Sequence, residues 1–167
     1  SRGSTGDYYE YYNHSIGEST EPGSTFKLAS LMAALEDGLV NLSDSVETEK
    51  GEMKFFDKVM RDSHVGGYGK ITVKNAFEVS SNVGISKIIY SCYAKNPQAF
   101  VNRIRKMGLG QPLGLEILGE PKPSIKNAAD KTWSGTTLPW MSIGYEVSMT
   151  PLQILAFIFL INIHPKP

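Results

Sequence analysis

The chain has 167 residues, enough for one domain with a sizeable core, and its 41% hydrophobic and 20% charged residues are ordinary for a globular protein. Lysine plus arginine and aspartate plus glutamate number 17 each, so no basic excess indicates binding to nucleic acid or to an anionic membrane. The single cysteine, Cys92, excludes an internal disulfide framework and a thiolate metal site, and we expect it in the core.

Metal and membrane signals are weak in this sequence. His14, His64 and His164 are isolated from one another, and none has the spacing of a zinc-ligand pair, so we expect no metal site. The longest apolar run, Ile154–Ile161, is about half of what a membrane span needs. The chain begins without methionine or a signal peptide, and we expect it to be a piece of a longer protein.

The first strong helix prediction covers Ser24 to Asp37. Its apolar positions go nearly all round the helix, which implies burial. Pro22 suits the approach to a helix, and Gly38 predicts a left-handed cap after it. The preceding residues 1–20 are polar and turn-rich, and their tyrosine cluster is more typical of a surface or strand edge than of a binding platform.

Ser24 and Lys27 lie three residues apart, so on a helix they share a face. Desolvation on a buried helix disfavours the ammonium form of Lys27. A neutral amine beside a hydroxyl is a general base next to a nucleophile. The alternative is that Ser24 only caps the helix and Lys27 extends to solvent, since this spacing also arises by chance.

The middle of the chain predicts short elements. Residues 43–71 alternate charge, glycine and aromatic residues, which indicates an irregular segment with at most one hairpin. Residues 108–139 are rich in glycine and proline and predict a long loop. The remaining helices are predicted at Val73–Val79 after an N-cap at Thr72, from Val83 to about Ala94, from an N-cap at Asn96 to Gly108, and from Thr150 through Ile158.

Ser80-Ser81-Asn82 falls between two of these predicted helices. A turn of short polar side chains can project a hydroxyl and a carboxamide into a cleft. Ser80 could then relay a proton, and Asn82 could both donate and accept hydrogen bonds. Taken alone, such a tripeptide is also typical of a simple helix-breaking turn.

Together, the two motifs are far more specific than either one alone. A Ser-x-x-Lys at a buried helix start followed by Ser-x-Asn at an interhelical turn is typical of penicillin-recognising serine enzymes. Over residues 15–155 the sequence resembles the transpeptidase domain of class B penicillin-binding proteins, and most of all the division-type enzyme that crosslinks septal peptidoglycan. The strings that carry the resemblance are Glu21–Lys27, Ser80–Lys87, Gly114–Glu120 and Ser142–Gln153.

The resemblance implies a fold and a chemistry. The expected fold is α+β and mainly helical, a penicillin-binding transpeptidase or serine β-lactamase-like fold that lacks most of its antiparallel sheet, with residues 1–167 as one partial domain. Ser24 would attack the D-Ala-D-Ala carbonyl of a stem peptide, and Lys27 would take its proton. Ser80 would pass a proton toward the leaving amine, and Asn82 would bind Lys27 and the substrate amide.

The resemblance also implies partners and a location. Peptidoglycan stem peptides and β-lactam antibiotics would both acylate Ser24, and no metal, organic cofactor or nucleic acid is implied. Divisome proteins would bind through a longer parent protein. That parent would be extracytoplasmic or periplasmic and anchored in the membrane by a helix upstream of this sequence.

The sequence departs from the family in two places. It contains no Lys-Thr-Gly or Lys-Ser-Gly, and Lys131-Thr132-Trp133 lacks the glycine and precedes the helix that the family's motif follows, so we treat it as a decoy. In the family, the strand that carries this motif supplies one of the two oxyanion-hole amides. Loss of one such amide typically costs on the order of 10²–10³ in rate, so we expect the isolated chain to be inactive. Residues 156–167 read as an atypical tail, which we interpret as a truncated frame translated out of register.

Two alternatives stay open. A serine β-lactamase of class A would need a glutamate in a Glu-x-x-Leu-Asn context, which neither Glu116 nor Glu120 has. A non-catalytic penicillin-binding-like interaction domain would not need the third motif.

Overall fold

The computed structural model describes Gly6, residues 12–116 and residues 118–163, with side chains through residue 160. Most of the tyrosine cluster and His164 lie outside these residues. The described helices are α1 (His14–Gly17), α2 (Lys27–Glu36), α3 (Val73–Glu78), α4 (Asn82–Tyr93), α5 (Pro97–Lys106), α6 (Thr137–Met141) and α7 (Pro151–Ile163), with a 3₁₀ helix at Gly23–Phe26. The strands are β1 (Ser45–Glu47), β2 (Glu52–Phe55), β3 (Lys58–Arg61), β4 (Lys70–Thr72), β5 (Ser124–Ile125) and β6 (Val147–Ser148).

Helix α2 is the centre of the core, and it contacts α3, α4 and α5. Its small residues Ala29, Ala33 and Ala34 are fully buried, which lets the neighbouring helices approach closely. Gly38 has a φ of +66°, and the Leu39 amide donates to the Ala34 carbonyl, so the predicted left-handed cap is confirmed.

The polar turn between α3 and α4 is built from two caps. The Thr72 hydroxyl accepts from the Asn75 amide and caps α3, as predicted. At the other end of α3, Ser80 has a φ of +53°, and the Ser81 amide donates to the Ala76 carbonyl. The Ser81 hydroxyl then accepts from the Gly84 amide at 2.8 Å and caps α4. Helix α4 therefore begins at Asn82, one residue earlier than predicted.

The strands pair in three antiparallel ladders of two. The single predicted hairpin is β2–β3, in which Phe55 lies opposite Lys58. The prediction missed the pairing of β1 with β4, where Val46 lies opposite Ile71. Its two strands are far apart in sequence, so no local turn signal indicates it.

The prediction of a continuous loop over residues 108–139 is wrong. Strand β5 lies within it and pairs with β6, and α6 begins at its end. These elements are too short for a periodic pattern, and tertiary contacts stabilise them. Helix α5 ends at Lys106 with Met107 as its C-cap, and Gly108, which has a φ of +92°, stops the helix as predicted. Asn96 is the N-cap residue, but its side chain makes no capping hydrogen bond. Cys92 is only partly buried and packs at the edge of the core.

Helix α7 continues beyond the predicted end at Ile158. It is apolar on all sides: Phe157 is buried in the core, whereas Phe159 and Leu160 are each 56% exposed. Among the described residues, no helix has both the length and the apolar content to cross a bilayer. The arrangement as a whole is the helix-rich α+β fold that the sequence predicted, with few and short strands.

Candidate active site

Ser24 lies in the 3₁₀ helix just before α2, and its side chain is exposed. Its hydroxyl makes no hydrogen bond to any residue that the structure describes. The Lys27 amide donates to the Ser24 carbonyl, so the two residues are one tight turn apart. The hydroxyl is therefore accessible at the start of a buried helix.

Lys27 is almost completely buried, with 1% of its surface exposed. Its ammonium nitrogen donates to the Ser80 carbonyl at 2.6 Å and to the Ser80 hydroxyl at 3.0 Å. Burial lowers the pKa of Lys27 to about 8, and the negative charge of Asp62 partly offsets this effect. A lysine with this pKa is neutral in about a tenth of the molecules at pH 7, so it can act as a base.

Ser80 supplies both acceptors to Lys27, because its left-handed backbone lets its carbonyl and its hydroxyl reach the same amine. A positive φ in a residue other than glycine costs of order 1–3 kcal/mol and persists only where the surroundings enforce it. The caps of α3 and α4 enforce it here. The turn thus brings Ser80 to Lys27 across 53 residues of sequence.

Asn82 does not make the contact to Lys27 that the family resemblance implies. Its amide nitrogen donates to the Arg61 carbonyl at 2.8 Å, at the end of β3. The reason is that Asn82 is the first residue of α4, next to the hairpin, while Ser80 occupies the position against the amine. The carboxamide lies beside the site rather than on the lysine.

A second segment, residues 144–146, is hydrogen-bonded to the residues just before Ser24 and holds them in place. The Gly23 amide donates to the Gly144 carbonyl at 3.1 Å, and the Glu146 amide donates to a Glu21 carboxylate oxygen at 2.9 Å. A side-chain carbon on Gly144 would lie 2.0 Å from the Gly23 carbonyl oxygen. The absence of a side chain at Gly144 therefore allows a close backbone contact immediately before Ser24. Gly23 and Gly144 lie in two of the strings that carry the family resemblance, but the sequence did not indicate the contact between them.

Asp62 is a residue of the site that the sequence did not indicate. It follows β3, and its carboxylate accepts from the Ser81 hydroxyl and from the Val83 amide. Its charge acts on Lys27. Asp62 lies in the segment that we predicted to be irregular, and no spacing signal links it to the turn, because the contact is purely tertiary.

No group of three potential metal ligands occurs in the described part of the chain. The decoy residues Lys131 and Thr132 are exposed in a turn.

Comparison with known proteins identifies the family. The model of the penicillin-binding protein transpeptidase domain matches residues 1–161. The chain is 33% identical over 142 residues to the peptidoglycan D,D-transpeptidase FtsI of Buchnera aphidicola, which is 85% of this chain and 23% of that protein. It is 33% identical over 144 residues to the penicillin-binding protein PbpB of Mycolicibacterium smegmatis, of which it covers 21%. The chain thus spans less than a quarter of the length of these relatives.

Solved structures agree with the sequence comparison. The apo transpeptidase domain of penicillin-binding protein 3 from Burkholderia pseudomallei has a TM-score of 0.80 and 27% identity, over 89% of this chain and 43% of that one. Penicillin-binding protein 3 from Mycobacterium tuberculosis, solved with ampicillin, has a TM-score of 0.76 and 27% identity, over 89% of this chain and 31% of that one. The chain therefore belongs to the penicillin-binding protein transpeptidase family.

Proposed function

We propose that this chain carries the acylation site of a peptidoglycan D,D-transpeptidase, with Ser24 as the nucleophile and Lys27 as its base. The observation that carries the proposal is a buried lysine that donates twice to Ser80 and lies one helical turn after an accessible serine hydroxyl. The substrate class that we propose is a stem peptide that ends in D-Ala-D-Ala, and membership of the family supports it.

The proposed reaction has two steps. Lys27 takes the Ser24 proton as the hydroxyl oxygen attacks the penultimate D-alanine carbonyl carbon, and the bond to the terminal D-alanine breaks. Ser80, bonded to Lys27, passes a proton to the leaving amine. The amino group of a neighbouring stem peptide then attacks the ester carbonyl and gives a proton to Lys27, and the bond to the Ser24 oxygen breaks. Lys27 returns the proton to that oxygen, which leaves the crosslink formed and Ser24 free. We propose that Asn82, next to the turn, contacts the substrate amide.

The Ser24 amide is the proposed oxyanion donor of this chain. It is among the first donors of a helix, which lack intrahelical acceptors, whereas the Gly23 amide is already bonded to Gly144. The 167 residues contain no Lys-Thr-Gly or Lys-Ser-Gly to supply a second donor. We therefore propose that this chain by itself forms the acyl-enzyme on the order of 10²–10³ times more slowly than a transpeptidase with both donors, and is inactive as a crosslinking enzyme.

The partners follow from the same proposal. β-Lactams would acylate Ser24 as mimics of the dipeptide, in line with the ampicillin and aztreonam complexes of the related penicillin-binding protein 3. Another related structure concerns a peptidoglycan synthase complex that polymerises and crosslinks. We propose that division proteins bind a longer parent protein, and that its transpeptidase domain lies outside the cytoplasm.

The test is the formation of a covalent adduct with labelled penicillin, followed by intact mass. We expect one stable adduct that forms over hours and is lost in Ser24→Ala. The matched control is Thr25→Val, which removes the neighbouring exposed hydroxyl, now bonded to the Pro22 carbonyl, and should keep the adduct. No adduct after a day at millimolar penicillin would contradict the proposal and favour the non-catalytic interaction domain.

Rapid release of the adduct would instead favour a serine β-lactamase. That role would require a water-activating carboxylate after the Ser-x-Asn turn. Glu116 is exposed, and Glu120 accepts from the Leu113 and Gly114 amides and from the Gln153 side chain. Because Glu120 is bound within the loop, its environment supports the transpeptidase rather than a water-activating role.

A further inference from the structure

The end of the β2–β3 hairpin is bonded to the start of α4. The Asp62 carboxylate accepts from the Ser81 hydroxyl, with both oxygens at 3.0 Å, and from the Val83 amide at 2.9 Å. Its own amide donates to the Gly51 carbonyl at 2.8 Å. Asp62 is thus fixed at its backbone and at its side chain.

The neighbouring residue adds a third bond to the same turn. The Arg61 carbonyl accepts from the Asn82 side chain at 2.8 Å. Arg61 and Asp62 therefore hold three consecutive residues, Ser81 to Val83. Ser80 precedes them directly, has a φ of +53°, and binds Lys27 through its carbonyl and its hydroxyl.

We propose that Asp62 is a positioning residue of this site: its carboxylate clamps the start of α4 to the end of β3, which holds Ser80 against Lys27, and its negative charge faces the Lys27 amine. This inference rests on the proposed function for its effect on acylation. The contact geometry and the charge do not depend on that function.

The charge of Asp62 is not cancelled by its neighbours. The Arg61 guanidinium is paired with Glu52 at 2.8 Å, and Lys87 is paired with Glu49 at 3.3 Å. Burial lowers the pKa of Lys27, and Asp62 is the charged group, among the described residues, that raises it. Removal of this charge leaves burial unopposed, so the pKa of Lys27 falls below its value of about 8.

The experiment compares Asp62→Asn with Asp57→Asn. Asparagine keeps the shape and one acceptor oxygen but removes the charge, and Asp57 is an exposed aspartate at the tip of the same hairpin. The first measurement is an NMR titration of the chain with labelled lysine, in which the Lys27 signal is identified by its loss in Lys27→Met. We expect a lower pKa of Lys27 in Asp62→Asn and an unchanged pKa in Asp57→Asn.

The second measurement is the rate of acylation by labelled penicillin as a function of pH. A displaced Ser80 misaligns the site, so we expect the maximal rate in Asp62→Asn to fall about 10-fold or more. The midpoint of its pH profile should move to lower pH, while Asp57→Asn keeps the rate and the profile of the wild type. A merely structural role would lower the rate without moving the midpoint.

A second variant keeps the inference testable if Asp62→Asn does not fold. Ser81→Ala removes the hydroxyl that donates to Asp62 and caps α4 but keeps the charge of Asp62, so the rate should fall while the pKa of Lys27 stays near its wild-type value. An unchanged pKa of Lys27 and an unchanged rate in Asp62→Asn would overturn the inference. A wild type that forms no adduct would refute the proposed function, and the NMR titration would still decide the placement of Asp62.

Discussion

At the scale of single residues, the burial of Lys27 destabilises the fold but lowers the pKa of the amine. A lysine with 1% exposure loses most of its hydration, and two hydrogen bonds to Ser80 replace only part of it. The benefit is a pKa of about 8, at which the amine can lose its proton near neutral pH. The same burial should be visible in the stability of the fold.

We predict that the free energy of unfolding contains a contribution from Lys27 that rises with pH between about 8 and 10.5. The pKa of Lys27 is lowered from 10.5 in the unfolded chain to about 8 in the fold, so in this window the unfolded chain binds more protons. Below about pH 8 both states are protonated and the cost of burial is fully present. The whole contribution is about 3 kcal/mol, since each pKa unit corresponds to about 1.4 kcal/mol.

The measurement is urea denaturation of the wild type and of Lys27→Met from pH 7 to pH 10. Cys92 and Tyr93, whose pKa values burial raises, titrate in both proteins, so the difference between the two proteins isolates Lys27. Lys74→Met, at an exposed lysine, should follow the wild type. Parallel curves for wild type and Lys27→Met would mean that the amine is hydrated in the fold.

At the scale of elements, one carboxylate joins three helices. Asp37, at the end of α2, accepts from the Tyr93 hydroxyl of α4 at 2.6 Å and pairs with the Arg103 guanidinium of α5. Burial raises the pKa of Asp37, but the hydrogen bonds from Tyr93 and Arg103, with the positive charge of Arg103, outweigh it and leave the pKa lowered. Arg103, at the basic end of α5, thus has a structural partner at the end of α2.

We predict that Asp37→Asn lowers the free energy of unfolding at pH 7 by about 1–3 kcal/mol, because it removes a charged acceptor and leaves Arg103 without that partner. Because the pKa of Asp37 is lower in the fold than its ordinary value of 3.8, the ionised carboxylate stabilises the fold fully above pH 3.8. This stabilisation is lost as the pH falls through the pKa that Asp37 has in the fold. Thermal unfolding of the variant and the wild type should therefore converge only as the pH falls from 3.8 through the lower pKa that Asp37 has in the fold. Asp57→Asn, at an exposed position, should match the wild type throughout, and equal stability of Asp37→Asn at pH 7 would contradict the role of the carboxylate.

At the scale of the whole molecule, the site depends on contacts between distant parts of the chain. Gly144 packs on Gly23 with no room for a side-chain carbon, and the Ser30 hydroxyl donates to the Ser142 carbonyl at 2.8 Å. The segment after α6 therefore lies along the start of α2 and holds Ser24 in place. A change in one segment should disturb a nucleophile more than a hundred residues away in sequence.

We predict that Gly144→Ala slows penicillin acylation of Ser24 by on the order of 10²-fold, because the new carbon would displace the Gly23 carbonyl and shift the nucleophile. The matched control is Gly66→Ala. Gly66 has a φ of +93°, close to the +87° of Gly144, but open space where the carbon would lie. Both variants carry the backbone strain of roughly 1–2 kcal/mol, so only the clash separates them. Equal acylation rates in the two variants would show that the close contact does not position Ser24.

The local elements of this protein were determined by the sequence itself. Apolar periodicity and cap residues act over a few positions, so α2, the N-cap at Thr72, the cap at Gly38 and the turn at Ser80 could be read from neighbouring residues. The pairing of Ser24 with Lys27 is equally local, since one turn of helix joins them.

The tertiary structure alone decided what surrounds that pair. The Asp62 clamp, the contact of Asn82 with Arg61 and the close packing of Gly144 on Gly23 join segments that no spacing relates. The β1–β4 ladder, β5 and α6 are likewise too short or too distant in sequence to carry a pattern. The physical reason is that hydrogen bonds and packing between distant segments form only when the folded core brings them within reach, whereas a helical turn needs only its own residues.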